Sequence, residues 1–147
     1  MTKAQECETE AAQDEQAIRA LKDVFARGFL TKNPRLRASI WVEDGTLVPP
    51  RGGFLRGRNS IEKLLETQIG SVTGDSKMTF SNYRFRFITP DVAFVDVDIT
   101  LNNVLGSDGT FRAILPISSA FTAIRQEGAW FVQDERAYFG PIPNSGD

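Results

Sequence analysis

The sequence has no histidine and only one cysteine, Cys7, among its 147 residues. Ser-His-Asp triads, histidine general bases and the usual zinc sites need an imidazole that titrates near neutral pH, so these classes of site are excluded. A single cysteine can form neither a disulfide nor a thiolate metal site within one chain. Any catalysis must therefore use Asp, Glu, Tyr, Lys, Arg or an imported cofactor.

The sequence also lacks an excess of basic charge and a long apolar run. Its formal net charge is -2, whereas proteins that bind phosphate backbones usually carry a basic excess. No apolar run approaches the ~20 residues of a membrane helix, and the N-terminus is acidic where a signal peptide would be basic. No glycine loop has phosphate-binding spacing. We therefore expect a cytoplasmic protein that contacts neither nucleic acid nor membrane and uses no cofactor.

The composition indicates one compact domain with a hydrophobic core. The chain is 41% hydrophobic and 24% charged, and its length suits a single folding unit. The first residues are polar and predict either a frayed end or an extension of the first helix. We expect a flexible leader over residues 1–12, one domain over residues 13–140 and a tail over residues 141–147.

Helical signals fill the first half of the chain. The apolar residues Ile18, Leu21, Phe25 and Phe29 recur at steps of three and four, which predicts an amphipathic helix over residues 14–31. Further on, a short second helix is predicted to begin at an Asn-Pro pair, as an N-cap followed by proline at the first helical position.

The third helix and the strands follow. Asn59 and Glu62 have the spacing of a capping box, which predicts a third helix beginning at that point. Four runs rich in β-branched and aromatic residues then predict antiparallel strands joined by hairpins. They cover residues 78–88, 92–101, 112–125 and 129–139. Helices first and long strands later favour an α+β fold with the helices on one face of a curved sheet.

Three stretches carry a family resemblance: "PRLRASIWVEDGTLV", "LRGRNSIEKLL" and "GAWFVQDERAYFG". In their order and spacing the chain resembles, over residues 14–140, the SnoaL-like, ketosteroid-isomerase-like branch of the nuclear transport factor superfamily, and within it the SgcJ/EcaC type. The resemblance implies a cone-shaped, strongly curved antiparallel sheet wrapped around three N-terminal helices, with one internal pocket. It also implies a homodimer formed through the outer sheet face. The family includes isomerases, cyclases and dehydratases as well as members that only bind ligands or assemble, so the fold does not fix the function.

The catalytic residues of the isomerase branch are missing at the matching positions. The aspartate base falls at Pro49, the tyrosine of the first helix falls at Phe25, and the second aspartate falls near Thr122. Glu43 and Asp44 are predicted to be a solvated pair in a turn at the end of a helix, because acidic residues and glycine are common in turns.

The second predicted strand, residues 92–101, offers acidic candidates. Alternation in "FVDVDITL" places Asp96, Asp98 and Thr100 on one face and an apolar row on the other. Two readings remain open. In the first, the apolar row covers the core and the aspartates are exposed to water. In the second, the apolar row forms a dimer contact and the aspartates line the pocket. In the second reading, burial would raise the pKa of a carboxyl group toward neutrality and make it a usable acid or base.

In the last strand, either of two alternating sets of residues could face the inside of the cone. Regular alternation after Trp130 and Val132 would place Asp134, Arg136 and Tyr138 inside, near the mouth of the cone, whereas a β-bulge would turn the residues between them inward. Asp134 and Arg136 could also form a surface ion pair of little energetic value.

These patterns give the following candidates. The proposed catalytic residues are Asp96, Asp98, Asp134 and Arg136. The proposed substrate-binding residues are Phe25, Phe29, Trp41, Phe54, Tyr83, Thr100, Thr122 and Tyr138. No metal site is predicted, because two carboxylates in a D-x-D pattern rarely hold magnesium or calcium without further oxygen ligands.

Three functions fit the sequence. The favoured one is an enzyme that binds a small hydrophobic metabolite, such as a polycyclic or polyketide-like compound, and catalyses a cofactor-independent acid/base reaction of the isomerase, cyclase or dehydratase type. The alternatives are a non-catalytic ligand-binding protein and a dimerisation or assembly module.

Overall fold

The computed structural model describes residues 2–140, which form three α-helices against one six-stranded sheet. The helices are α1 (Lys3–Leu30), α2 (Pro34–Ala38) and α3 (Arg58–Glu66), and a 3-10 turn (Ile69–Ser71) follows α3. The strands are β1 (Trp41–Val48), β2 (Leu55–Arg56), β3 (Val72–Thr89), β4 (Val92–Leu105), β5 (Phe111–Gln126) and β6 (Ala129–Phe139). The side chain of Cys7 and the tail predicted over residues 141–147 lie outside the described part of the chain.

The sheet has the strand order β2-β1-β6-β5-β4-β3. Its four long strands form the predicted antiparallel meander, while β1 runs parallel to β6. The helices pack on one face and the strands do not close into a barrel, so the predicted α+β cone fold is confirmed, with a mixed sheet rather than a purely antiparallel one. We call the face toward α1 the inner face and the opposite one the outer face.

Helix α1 is longer than the periodicity predicts. It begins at Lys3, where Thr2 and Gln5 form a capping box through their side chains and backbone amides. Residues 3–12 therefore extend the helix, as one of the two readings of this segment expected. The apolar stripe of Ile18, Phe25 and Phe29 is buried against the sheet.

The other two helices differ from their predictions at the ends. The Asn33 side chain caps α2 by accepting a hydrogen bond of 3.0 Å from the Leu36 amide, as predicted. The third helix begins at Arg58, after Gly57, so the capping box predicted at Asn59 is wrong. Gly57 has a φ of 95°, a conformation that glycine adopts without strain.

Glu43 and Asp44 lie within β1 rather than in a turn at a helix end. Both are exposed, and the pairing of β1 with β6 is irregular between Trp41 and Thr46. Gly45 is needed at this irregularity, because a Cβ atom there would lie 2.9 Å from the Gln133 carbonyl oxygen.

The core lies between α1 and the inner face. Its largest side chains that are fully shielded from solvent include Trp41, Phe121, Ile18 and Ile61. Within the range that the structure describes, no helix combines the length and the apolar character needed to cross a membrane.

Candidate functional site

Strand β4 presents its apolar row to the core. Val95, Val97 and Ile99 are buried on the inner face, whereas Asp96 and Asp98 are partly exposed on the outer face. The first of the two readings of this strand therefore holds. It holds because α1 covers the apolar row, which would otherwise face water.

The outer-face aspartates meet polar neighbours from β3. Asp98 Oδ2 accepts a hydrogen bond of 2.8 Å from Asn82 Nδ2, and Asp96 is paired across the sheet with Arg84. Thr100 shares their face. The prediction that Asp96, Asp98 and Thr100 point into the cone is thus corrected, and they have no access to a ligand bound inside it.

A bulge at Gln133 sets the phase of β6. Val132 pairs with Ala123 and Asp134 pairs with Thr122, so Gln133 is an extra residue in β6. An extra residue reverses the alternation beyond it. Glu135 and Ala137 therefore follow Val132 onto the inner face. Asp134, Arg136 and Tyr138 lie on the outer face, which corrects their predicted inward placement.

Asp134 and Arg136 form part of a small polar cluster on the outer face. Thr46 Oγ1 donates a hydrogen bond of 2.5 Å to Asp134 Oδ1 and accepts one of 3.1 Å from Arg136 Nη1. Thr122 Oγ1 accepts from the Asp134 amide at 3.2 Å. Phe54 is exposed, with the guanidinium of Arg136 5.6 Å from its ring centroid. Because Phe54, Thr122 and Tyr138 belong to this face, their predicted contact with a ligand inside the cone is also corrected.

The inner face carries a buried ion pair. Lys22 Nζ donates to Glu135 Oε1 at 2.5 Å, and the two side chains are 0% and 4% exposed. The ammonium also lies 4.6 Å from the Phe121 ring centroid and 5.3 Å from that of Phe25. Removing either partner would leave a charge in an apolar setting, which is strongly destabilising.

The sequence held a signal for Lys22 that the prediction missed. The buried stripe of α1 runs through residues 18, 22, 25 and 29, and position 22 is the one charged position in it. Glu135 is one of the residues that a bulge in the last strand was expected to turn inward. The predicted substrate-binding residues Phe25, Phe29 and Trp41 are buried in the hydrophobic core, with Phe25 and Trp41 edge to face at 5.8 Å. Their neighbours fill the space around them.

A bulge in β3 brings Tyr83 to the inner face. Asn82 has a φ of 56°, and the pairing with β4 shifts between Ser81 and Arg84. The Tyr83 ring stacks on Phe85 at 5.6 Å, and the Arg19 guanidinium lies 5.2 Å from the Tyr83 ring centroid. Arg19 therefore holds both rings against α1 through cation-π contacts.

The Tyr83 hydroxyl group is buried and has no hydrogen-bond partner among the described residues. Burial raises the pKa of Tyr83 above the tyrosine range, and the negative charges of Asp23 and Glu135 raise it further, against the opposing effect of Arg19. The side chain is therefore a neutral phenol at physiological pH, with a hydrogen bond available for donation.

Tyr83 lies at a groove between α1 and β3. The groove is open to solvent, has a volume of about 790 Å³ and is lined by both polar and apolar side chains. Arg19 and Asp23 from α1 and Phe80 and Tyr83 from β3 are among them. The groove therefore combines a carboxylate, a guanidinium and a phenol with an apolar wall.

The acidic side chains do not converge on a metal-binding geometry. Within residues 2–140, no group of three or more acidic or cysteine side chains is placed to hold a metal ion.

The chain has the fold of several solved structures. A cystatin-like protein from Caulobacter vibrioides matches with 23% identity and a TM-score of 0.74, over 86% of this chain and 89% of that one. A protein from Novosphingobium aromaticivorans, provisionally named scytalone dehydratase, matches with 18% identity and a TM-score of 0.75, over 90% and 88%. The hexachlorocyclohexane dehydrochlorinase LinA-type3 from Novosphingobium barchaimii matches with 17% identity and a TM-score of 0.76, over 95% and 96%.

These structures share the α+β fold of this chain, so the fold that the sequence resemblance implied is confirmed. No protein-family model matches the chain, and no curated protein sequence does. At these identities the likeness establishes the fold, while the chemistry must be argued from the site.

Proposed function

We propose that this protein is an enzyme that binds a small hydrophobic molecule in the groove between α1 and β3. The reaction is a cofactor-independent proton transfer of the isomerase, cyclase or dehydratase type. The observation that carries the proposal is that Tyr83 lines this groove and that its buried hydroxyl group has no hydrogen-bond partner among the described residues.

Tyr83 supplies the hydrogen bond that such a reaction needs. When a proton leaves the carbon next to a carbonyl group, negative charge develops on the carbonyl oxygen, and a preorganised donor stabilises it. Tyr83, like any phenol, is protonated at neutral pH, and burial raises its pKa above the ordinary tyrosine value. Its stacking on Phe85 and contact with Arg19 fix the ring before the ligand arrives, so little reorganisation is needed.

Asp23 supplies the base. Its carboxylate lines the same groove, and its charge acts on the Tyr83 hydroxyl group. In the proposed step, Asp23 takes the proton from carbon, the carbon electrons move into the carbonyl group, and Tyr83 donates a hydrogen bond to the resulting enolate oxygen. Glu135 and Lys22 lie deeper and support the site from the core.

The similar structures support this class of reaction by analogy. The names of two of them, a dehydratase and a dehydrochlorinase, denote the loss of water and of hydrogen chloride. An elimination of this kind begins with the transfer of a proton to a base, which is the role proposed for Asp23.

The proposal is tested by the exchange of protons next to a carbonyl group. Small cyclic ketones are incubated with the protein in deuterated water, and deuterium uptake is followed by NMR. We expect exchange above the buffer rate in the wild type, and a loss of about 10²–10³-fold in Tyr83→Phe. Asp23→Asn should also lose the exchange.

Tyr138→Phe is the matched control, because Tyr138 lies on the outer face and is 53% exposed. It should exchange protons like the wild type. Equal rates in Tyr83→Phe and Tyr138→Phe, or no exchange with any ketone, would contradict the assignment and leave ligand binding without turnover as the better reading.

We also propose that two copies of this chain associate through the outer face. Phe54, Phe94 and Tyr138 are large exposed side chains on this face. Exposed aromatic residues are common at the centres of protein interfaces. Sedimentation velocity should give a dimer for the wild type and a monomer for Phe94→Glu, whereas a monomeric wild type would refute the proposal.

A further inference from the structure

A second buried cation lies away from the groove, at the junction of α1, α2 and the segment that follows α3. The Arg37 residue is 5% exposed. Its Nη1 atom donates to Gln68 Oε1 at 2.9 Å, but its Nε atom has no partner among the described residues. Unlike Lys22, Arg37 forms no ion pair with any described carboxylate within 4.0 Å.

The packing of α2 on α1 forces Arg37 into this position. Gly28 of α1 lies against Arg37, and a Cβ atom on Gly28 would come within 2.6 Å of Arg37 Cγ and 2.9 Å of its backbone nitrogen. The guanidinium consequently lies 4.3 Å from the Phe25 ring centroid and 5.1 Å from that of Phe29. These cation-π contacts offset only part of the loss of hydration.

Burial lowers the pKa of Arg37 to about 9, although the charge of Glu135 acts in the opposite direction. The group is still protonated at neutral pH. A buried charge that is neither paired nor fully hydrogen-bonded is expensive, so such groups normally have a counter-ion.

A small cavity adjoins Arg37. It measures about 10 Å³, and its lining includes Arg37, Lys32, Gln68 and Asn33. None of its lining residues is acidic. The volume is close to that of one water-sized occupant, which excludes phosphate and sulfate. Lys32 is exposed, and the cavity is partly open to solvent, which gives a halide ion access to it.

We propose that this cavity is a binding site for a single monovalent inorganic anion, with Arg37 and Lys32 as its cationic ligands and Gln68 holding the guanidinium in place. The site is separate from the groove between α1 and β3, since the two share no lining residue. Its occupant neutralises the buried charge and stabilises the junction of the three helices.

The test compares chloride with gluconate, an anion too large for the cavity, at constant ionic strength. Denaturant unfolding of the wild type should show saturable stabilisation by chloride. At a chloride concentration of about ten times Kd, the unfolding equilibrium constant should fall about tenfold. Arg35→Met is the matched control, because Arg35 is exposed on the same helix and does not line the cavity. It should keep the full response.

Arg37→Met should lose the chloride response. Relative to the wild type in the same salt, the variant should lose less stability in gluconate than in chloride. The reason is that the wild type in gluconate retains an unneutralised buried charge. A purely structural role for Arg37 predicts the same loss in both salts. If this variant does not fold, Lys32→Met serves instead and should weaken the response several-fold.

Chlorine NMR line broadening of the native protein gives an independent measure of binding. Saturable broadening that bromide competes away supports the site. Equal stability of the wild type in chloride and gluconate, or equal chloride responses in Arg37→Met and Arg35→Met, would overturn it and make the occupant a water molecule.

Discussion

Strand β6 carries two neighbouring carboxylates that point to opposite faces of the sheet. Glu135 is 3% exposed on the inner face and bonds to Lys22, which is also buried. Asp134 is half-buried on the outer face and bonds to Thr46. Water can replace the partners of Asp134 at modest cost, whereas nothing can replace Lys22 inside the core. Two residues of similar chemistry thus have different energetic roles, because neighbouring residues of a strand point to opposite faces and the bulge at Gln133 decides which of them faces the core.

Deleting Gln133 is the strongest way to break this comparison. Without the extra residue, Asp134, Arg136 and Tyr138 would turn inward, and Glu135 would lose Lys22. We expect the domain to lose its cooperative fold, because an unpaired Lys22 and the Arg136 guanidinium would both be buried. Circular dichroism during heating measures this loss.

The substitution Gln133→Ala is the control for the deletion. It keeps the bulge and changes an exposed side chain, so the free energy of unfolding should change by no more than about 0.5 kcal/mol. A deletion variant as stable as this control would show that β6 does not depend on the bulge.

Separating Lys22 from Glu135 should have the next largest effect. Lys22→Met leaves the Glu135 carboxylate buried and unpaired, which should lower the free energy of unfolding by about 3–5 kcal/mol in urea denaturation. The double variant Lys22→Met with Glu135→Leu should recover at least half of this loss, because no charge remains buried. If the double variant instead loses as much stability as the two single variants combined, the two residues are not coupled.

The buried Tyr83 and the exposed Tyr138 can be compared by titrating their phenol groups. In Tyr138→Phe, Tyr83 is the one tyrosine left, and its phenolate absorbance should stay absent through the ordinary range near pH 10. Because the pKa of Tyr83 is raised on folding, its contribution to stability is fully present below about pH 10 and is lost as the pH rises through the folded value. A phenolate that forms at the ordinary pH without unfolding would contradict the burial of this hydroxyl group.

Substitutions of acidic residues on the outer face should have the smallest effects on stability and activity. Asp134→Asn and Asp98→Asn each remove a partly exposed charge and keep an oxygen that can accept the same hydrogen bond. We expect the free energy of unfolding to change by about 0–1 kcal/mol in each, and ketone proton exchange to match the wild type. A loss of exchange in either variant would return these residues to the list of catalytic candidates.

The main elements could be predicted from the sequence because their signals are local. Periodicity located the buried stripe of α1, and alternation separated the two faces of β4. The orientation of those faces was left open, because alternation is symmetric until a helix covers one of them. The choice between the two readings depended on the packing of α1.

Tyr83 was among the predicted substrate-binding residues, but the faces of β3 and β6 could not be predicted, because they depend on the bulges at Asn82 and Gln133. Neither residue is a glycine, and nothing in the local pattern of β3 or β6 marks an extra residue. Each bulge reverses the faces of all the residues beyond it, so one missed residue misplaced Asp134, Arg136 and Tyr138 together. Lys22 was the exception, since a charge within an apolar stripe is visible in the sequence.

Strand β3, which has 18 residues, lies at one edge of the sheet. Among the described strands it pairs with β4 alone. Its other side presents free amide and carbonyl groups that could template the addition of a foreign strand. The bulge at Asn82 and the exposed side chains of Lys77, Arg84 and Arg86 oppose such growth by interrupting the edge and by charge repulsion. The same irregularity that turns Tyr83 inward thus also interrupts an edge that could accept a foreign strand, and neutralising these three cations should make the protein aggregate at lower concentrations.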